Sequence, residues 1–194
     1  RVMDATGAYV LCDCTGYRLD GTDTEPSMYV GIIINRSLAD TTDSVTGLGD
    51  IHALVNAIGE MRRVAREAGF IAIKIDDIAQ VNARFGFDAG DRVLAESAAC
   101  LMECSRGKGR LFRSTGPTFA ALFDDFDPEE TDAIAEEIER FLGSPVLIGS
   151  LEYQPPIRVA TLHLDAVDRQ PVSILNELKA LLKEAPQVPG TKLD

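Results

Sequence analysis

The four cysteines of this chain fall in two close pairs, Cys12-x-Cys14 and Cys100-x-x-x-Cys104. Thiolates four residues apart share one face of a helix, so the two pairs together supply the donor number of a tetrahedral zinc site. The spacing argues against it. Neither pair is the usual C-x-x-C knuckle, and a free cysteine commonly packs as a small core residue. Unpaired thiols in a reducing cytoplasm are the expectation, with no metal. The two histidines, His52 and His163, stand alone in the sequence and are expected to be structural or solvent-facing rather than catalytic. A third stretch is notable for chemistry it lacks. LFRSTGPTFAALF, residues 111–123, has the pattern of two short strands joined by a tight turn. The turn, Thr115-Gly116-Pro117-Thr118, contains the Gly and Pro that hairpins use, yet carries no charge.

Charge excludes one class of partner. A formal net charge of -12 and a pI near 4.6 oppose binding to a phosphate backbone, so nucleic acid is not expected. The acids are spread along the chain (Asp124-Asp125, Glu129-Glu130, Glu136-Glu137), as solvated faces are, rather than gathered in a tail. Hydrophobic content of 45% with 26% charged residues fits a globular protein, and no apolar run reaches the length of a bilayer span. The chain opens at Arg1 without a signal-peptide pattern, as expected for a piece of a longer chain. A cytoplasmic location is expected, including as the cytoplasmic part of a membrane-attached protein, with no membrane contact by this fragment.

The elements that must position a site follow from periodicity. Residues 1–37 have the composition of extended segments with turns, ending in the apolar run SMYVGIIIN; too few strands to bury a core alone, they suggest the end of a domain. Residues 38–50 form a polar connector. Ile51, Leu54, Val55, Ile58, Met61 and Ala65 recur at a helical period that ends at Gly69. FIAIKI, residues 70–75, is a strand with Ile71, Ile73 and Ile75 on one face and Ala72 and Lys74 on the other. A short helix through Ile78, Val81, Asn82 and Phe85 precedes a longer one introduced by Gly90. After the hairpin, Asp127-Pro128-Glu129-Glu130 starts a helix with a buried stripe of Ile134, Ile138, Phe141 and Leu142. VLIGS and IRVATLHL supply two strands. A last helix runs through Ile174, Leu178 and Leu182 to Pro186, and residues 186–194 are expected to be a disordered tail. The fold class is α+β, a mixed sheet with ferredoxin-like elements covered by helices.

Three segments carry a resemblance. DSVTGL (43–48), NARFGFDAGDRVL (82–94) and FRSTGPTFAALF (112–123) together resemble the GGDEF domain, the nucleotidyl-cyclase-like fold of diguanylate cyclases. That family has DxLTGL at its start, a DxD-type strand before an Asn and a YGHxxGD segment, and RxGGDEF in its hairpin. The resemblance covers residues 43–185 and makes 51–185 a GGDEF domain. Residues 1–37 resemble, more weakly, the C-terminal strands of a PAS sensor domain.

The resemblance also implies where the site departs from the family. Aligned on Phe119, the family's acidic turn becomes Thr115-Gly116-Pro117-Thr118, without the carboxylate that ligates magnesium beside the attacking hydroxyl of GTP. Lys74 falls on the first Asp of the DxD strand and Asp76 on the second. The segment KALLKEAPQVPG lacks the family's Lys and Gly-Arg-Asn ending that helps hold phosphates. Hard divalent cations need anionic oxygens, so these positions form a degenerate site with no catalytic residue and no resident magnesium. Asn82 and Asp91 match the family's guanine-binding residues; the plainer alternative is that Asn82 fills a helix corner and Asp91 caps the next helix. Likewise Lys74 either pairs with Asp76 or meets phosphate. Arg106 matches half of the family's inhibitory RxxD motif, and a solvated loop arginine is the alternative. The implied function is a catalytically inactive regulatory domain of a bacterial signalling protein that binds GTP or another guanine nucleotide and forms a homodimer or contacts other signalling domains. The alternatives are an active cyclase with a non-standard magnesium site, drawing on Asp77 or Asp124-Asp125, and a ligand-free interaction module.

Overall fold

A computed structural model describes residues 41–193, apart from 65–66, 125–126, 143–144 and 166–168, and four strands among the first 35 residues. The chain divides into two compact units, Arg1–Asp40 and Thr41–Asp194. In the first, β1 (Val2–Met3) pairs antiparallel with β2 (Tyr9–Val10), and β3 (Cys12–Leu19) pairs antiparallel with β4 (Met28–Asn35). The side chains of Cys12 and Cys14, the connector through residue 40 and much of the expected PAS-like segment lie outside the described residues.

The second unit contains α1 (Ile51–Val64), β5 (Ala68–Ile75), α2 (Ile78–Phe85), α3 (Phe87–Ser105), β6 (Arg110–Thr115), β7 (Thr118–Asp124), α4 (Pro128–Leu142), β8 (Val146–Ile148), β9 (Leu151–Tyr153), β10 (Ile157–Leu164) and α5 (Pro171–Glu184). Four strands form one sheet in the order β10-β5-β7-β6, every neighbouring pair antiparallel. The crossover through α2 and α3 returns β6 parallel to β5, but β7 lies between them. Mixed character is therefore confined, among the described residues, to one parallel bridge, Gly49 to Phe112. This is the ferredoxin-like ordering, with β5 in the interior of the sheet.

Side-chain alternation along β5 divides the core into two layers. Ile71, Ile73 and Ile75 join Phe119, Ala121 and Phe123 under α2, α3 and α4. Phe70 and Ala72 join Ala120 and Leu122 under α1 and α5. Both faces are covered, so β5 is a nearly unbroken apolar run; each fully buried Ile or Phe stabilises the fold by about 1.5–3 kcal/mol. Polar groups mark two helix starts: Asp127 Oδ1, as expected, accepts from the Glu129 amide at 3.1 Å, and Asp50 Oδ1 accepts from the His52 and Ala53 amides.

Four local expectations change. Helix α3 starts at Phe87, ahead of Gly90. Phe141 leaves the buried stripe of α4: it is 42% exposed, with the Arg140 guanidinium 5.0 Å from its ring centre. VLIGS turns back through a second short strand, β9, which pairs with β8. The segment after Pro186 is docked rather than disordered through its described length. Val188 and Ile157 exchange both backbone hydrogen bonds, at 2.8 and 3.1 Å, and the Thr191 amide donates to the Gln154 carbonyl at 2.8 Å. Periodicity could not show this, because an extended edge segment without alternating apolar residues has no pattern of its own.

Gly190 reports on the docking. A Cβ there would lie 2.3 Å from the Gln154 carbonyl oxygen and 2.5 Å from the Pro156 nitrogen, both backbone atoms that cannot swing aside. Gly190→Ala is expected to lower stability by about 1–3 kcal/mol, read as a lower urea midpoint at constant slope. An unchanged midpoint would mean that the segment does not pack there.

Candidate functional site

Strand β5 ends at Ile75, and the two following residues stand where the sheet opens toward α2. Asp76 is buried, at 7% exposure, directly after a strand whose interior offers it no solvent. A carboxylate in that position is tolerated only with donors around it. Lys74 Nζ donates to Oδ1 at 2.6 Å, while Arg158 Nε and Gln187 Nε2 donate to Oδ2 at 2.9 and 2.6 Å. Burial pushes the Asp76 carboxyl up, but the hydrogen bonds from Lys74, Gln187 and Arg158 outweigh it and hold the group below its ordinary value. The pairing of Lys74 with Asp76 is thus present, and Arg158 and Gln187 are partners that the sequence did not disclose. Register explains Arg158: it stands directly opposite Lys74 on β10. Its guanidinium also donates to the Ala185 carbonyl at 2.7 Å, tying the end of α5 to the same point.

Lys74 and Asp76 line a cleft of about 550 Å³ together with Asn82, Asp91, Gly116 and Pro117. Four elements converge there, β5, α2, α3 and the β6–β7 turn. Asn82 projects from α2 with its Oδ1 buried and without a hydrogen-bond partner. A Cβ on residue 90 would come within 1.9 Å of that oxygen, so Gly90 makes the room that Asn82 occupies. Asp91 is exposed in the second turn of α3, whose N-cap is Gly86, so the capping alternative for Asp91 fails. Asn82 fills the helix corner and also lines the cleft, but its unpartnered Oδ1 is buried against Gly90 of α3, a costly arrangement.

The turn is held from below. Gly116 has φ 54, and the Ile75 amide donates to the Pro117 carbonyl at 3.0 Å. Arg113 Nε donates to the Gly116 carbonyl at 2.8 Å, and its Nη1 bonds both carboxylate oxygens of Asp43, at 3.0 and 3.1 Å. Asp43 also accepts from the Thr46 amide and hydroxyl. Burial raises the Asp43 carboxyl, and the bonds from Thr46 and Arg113 bring it below its usual range.

The remaining residues fall elsewhere. Thr115 and Thr118 line an adjoining groove that also includes Lys74. Arg106, in a left-handed conformation at the end of α3, pairs with Glu137 of α4 at 2.9 Å and lines neither cavity. Asp77 is left-handed, with φ 64, and lines the cleft, its Oδ1 accepting from Gln80 Nε2 at 3.2 Å. Asp124 pairs with Arg110, and Asp125 lies outside the described residues. His163 stands 3.7 Å from Asp132, and neither histidine lines the cleft. The Cys100 and Cys104 sulfurs are 4.0 Å apart on α3, and burial pushes the Cys100 thiol up to about 12. Neither Asp76 nor the turn offers a free ligand to a magnesium ion, which leaves the carboxylates of Asp77 and Asp91 in the cleft. Asp76 is saturated by donors, two of them cationic, and the turn offers no anionic oxygen.

Comparison with known proteins places this geometry in a family. The model of the diguanylate cyclase GGDEF domain matches residues 40–161. Over 119 residues, 60% of this chain and 18% of the relative, the chain is 29% identical to the cyclic di-GMP phosphodiesterase PdeR of Escherichia coli K12. Over 84 residues, 41% of this chain and 28% of the relative, it is 27% identical to the diguanylate cyclase DgcS of Shewanella oneidensis. The chain thus spans less than a third of the length of these relatives. The crystal structure of the FimX GGDEF domain from Pseudomonas aeruginosa superposes with a TM-score of 0.70 at 18% identity, covering 76% of this chain and 94% of that one.

The depressed Asp76 carboxyl makes the site pH-sensitive. Because its folded-state pKa lies below the unfolded value, its ionisation stabilises the fold at neutral pH, and that contribution disappears as pH falls below about 4. Asp76→Asn is expected to flatten this acid limb and to cost about 1–3 kcal/mol near neutrality, toward the lower figure because Lys74 is partly solvated. Urea unfolding from about pH 7 to about pH 3 reads both effects; an unaltered acid limb would place the sensitivity elsewhere.

Proposed function

From the premise that the chain belongs to the GGDEF family, as the match over residues 40–161 shows, we propose that it is a catalytically silent member that binds a guanine nucleotide. The observation that supports this is the engagement of Asp76 by Lys74, Arg158 and Gln187 in the cleft that Asn82 and Asp91 also line. An acid already neutralised by its own chain cannot recruit a divalent ion, whereas Asp91 offers an exposed carboxylate and Asn82 an amide of the kinds that suit a guanine edge. Lys74 supplies positive charge at the place the family reserves for a metal ligand.

Such a domain acts by binding and by association, as a homodimer or with other signalling domains, in a cytoplasmic bacterial signalling protein. Residues 1–37 then belong to a PAS-like sensor. The names of its relatives allow this: one is a cyclic di-GMP phosphodiesterase and the other a diguanylate cyclase, so a match to this segment accompanies opposite activities. No helix among the described residues is long and apolar enough to cross a membrane.

A second reading has one observation in its favour. Asp77 lines the cleft, so an active cyclase condensing two GTP into cyclic di-GMP and pyrophosphate could draw on that carboxylate. It would have to leave Gln80 and act with magnesium beside the positively charged Lys74, against Coulomb repulsion.

Calorimetric titration of the chain with GTP, in magnesium and in EDTA, followed by chromatography for cyclic di-GMP, separates these readings. Binding without product, indifferent to magnesium, and weakened at least about tenfold by Asn82→Ala is expected. In EDTA, Lys74→Asp is expected to weaken GTP further; equal or tighter binding would sink the role given to Lys74. Product would establish the cyclase, and absence of heat would leave an interaction module.

A further inference from the structure

The cysteine pair of α3 lines neither the cleft nor the groove beside it, and the proposed function makes no use of it. Cys100 and Cys104 stand one helical turn apart on one face, with their sulfurs 4.0 Å from each other. Both thiols are free, Cys104 buried at 3% exposure and Cys100 half-buried. A disulfide does not suit this spacing. It needs Cβ atoms about 3.8 Å apart, whereas residues one turn apart on a helix hold them about 5–6 Å apart.

A single metal atom between the two sulfurs does suit it. Two metal–thiolate bonds of about 2.3 Å set their sulfurs about 3.8 Å apart at the tetrahedral angle and about 4.6 Å apart in a straight line. The observed 4.0 Å lies inside that interval, with both side chains already turned toward each other. Access is also present. Cys100 lines a pocket of about 290 Å³ with Glu96, Glu103, Phe141 and Pro145, so an ion arriving from solvent meets this sulfur first and the buried Cys104 behind it. Glu103, and Glu137 from α4, lie close enough to act on the thiols electrostatically, and no Lys or Arg among the described residues lines the pocket. The local field thus favours a cation.

The ligand number selects the ion. Among the described residues no group of three or more His, Cys, Asp or Glu side chains is placed to hold a metal. Zinc, which takes four ligands, is left two short, and hard cations prefer oxygen. A soft monovalent ion needs only the two thiolates, and of the biological metals that thiolates select, this is Cu(I).

We propose that Cys100 and Cys104 form a two-coordinate site for Cu(I) on α3, entered through the pocket at Cys100. On binding, two S–H bonds break, two Cu–S bonds form and two protons pass to solvent. Copper enters and stays as Cu(I), so no oxidant or reductant takes part. Cys12 and Cys14 belong to the other unit and are not required.

The test is anaerobic titration of the reduced full chain, carrying Cys12→Ser and Cys14→Ser, with Cu(I) supplied as its complex with the chromophoric competitor bathocuproine disulfonate. One Cu(I) per chain is expected to leave the competitor, with a thiolate-to-copper band in the ultraviolet and both remaining thiols protected from dithionitrobenzoate. Cys100→Ala, at a half-buried helix position, is expected to weaken binding at least about tenfold while the helical circular dichroism is retained. Zinc(II) at the same concentration is expected to leave both thiols titratable. No transfer of copper, transfer indifferent to Cys100→Ala, or copper bound with one thiol still titratable overturns the site. Protection by zinc overturns the choice of a two-coordinate ion.

Discussion

A buried carboxylate must be compensated, and Asp76 is the group around which this domain's functional end is assembled. Its donors come from three places in the chain: Lys74 at the end of β5, Arg158 on β10 and Gln187 beyond α5. Bringing them together requires β10 to pair with β5 in the observed register and the segment after Pro186 to return along the sheet edge. The Val188–Ile157 bridge and the Thr191–Gln154 hydrogen bonds fasten that segment beside the residues it must reach. Docking of the C-terminal segment and neutralisation of Asp76 are therefore one arrangement.

The same constraint divides the site's chemistry. Asp76 is saturated and the turn is without acids, so the free carboxylates of the cleft are those of Asp77 and Asp91. Asn82 lines the cleft too, with a buried and unpartnered Oδ1 lodged in the space left by the missing side chain of Gly90. The adjoining groove shares Lys74 with the cleft and is lined further by Arg158, Lys179 and Lys183, without a carboxylate.

A second ionic tie reaches from the start of the domain to the turn. Asp43 lies two residues inside the unit that opens at Thr41, and through Arg113 it is linked to the Gly116 carbonyl. Half-buried and accepting from Thr46 as well, this carboxylate sets where the β6–β7 hairpin sits relative to the segment entering α1. The uncharged turn needs that support, because its own side chains make few polar contacts. Ser114 is the exception, its hydroxyl donating to the Thr118 carbonyl at 3.2 Å.

By itself the sequence determined the α+β class, the existence and order of the five helices of the second unit, the face shared by Ile71, Ile73 and Ile75 and the uncharged hairpin. Each of these is a local matter of side-chain period or turn chemistry. It also placed Lys74 beside Asp76, since residues two apart on a strand share a face. Only the tertiary structure brought Arg158 and Gln187 to Asp76, aligned Arg158, Lys74, Thr118 and Thr115 in one row across β10, β5, β7 and β6, set Asp77 into the cleft and removed Arg106 to a pair with Glu137. Local pattern does not encode strand order. The row depends on β7 and β10 both pairing with β5, and which distant strands become neighbours is decided by burying two apolar faces at once, a property of the whole chain.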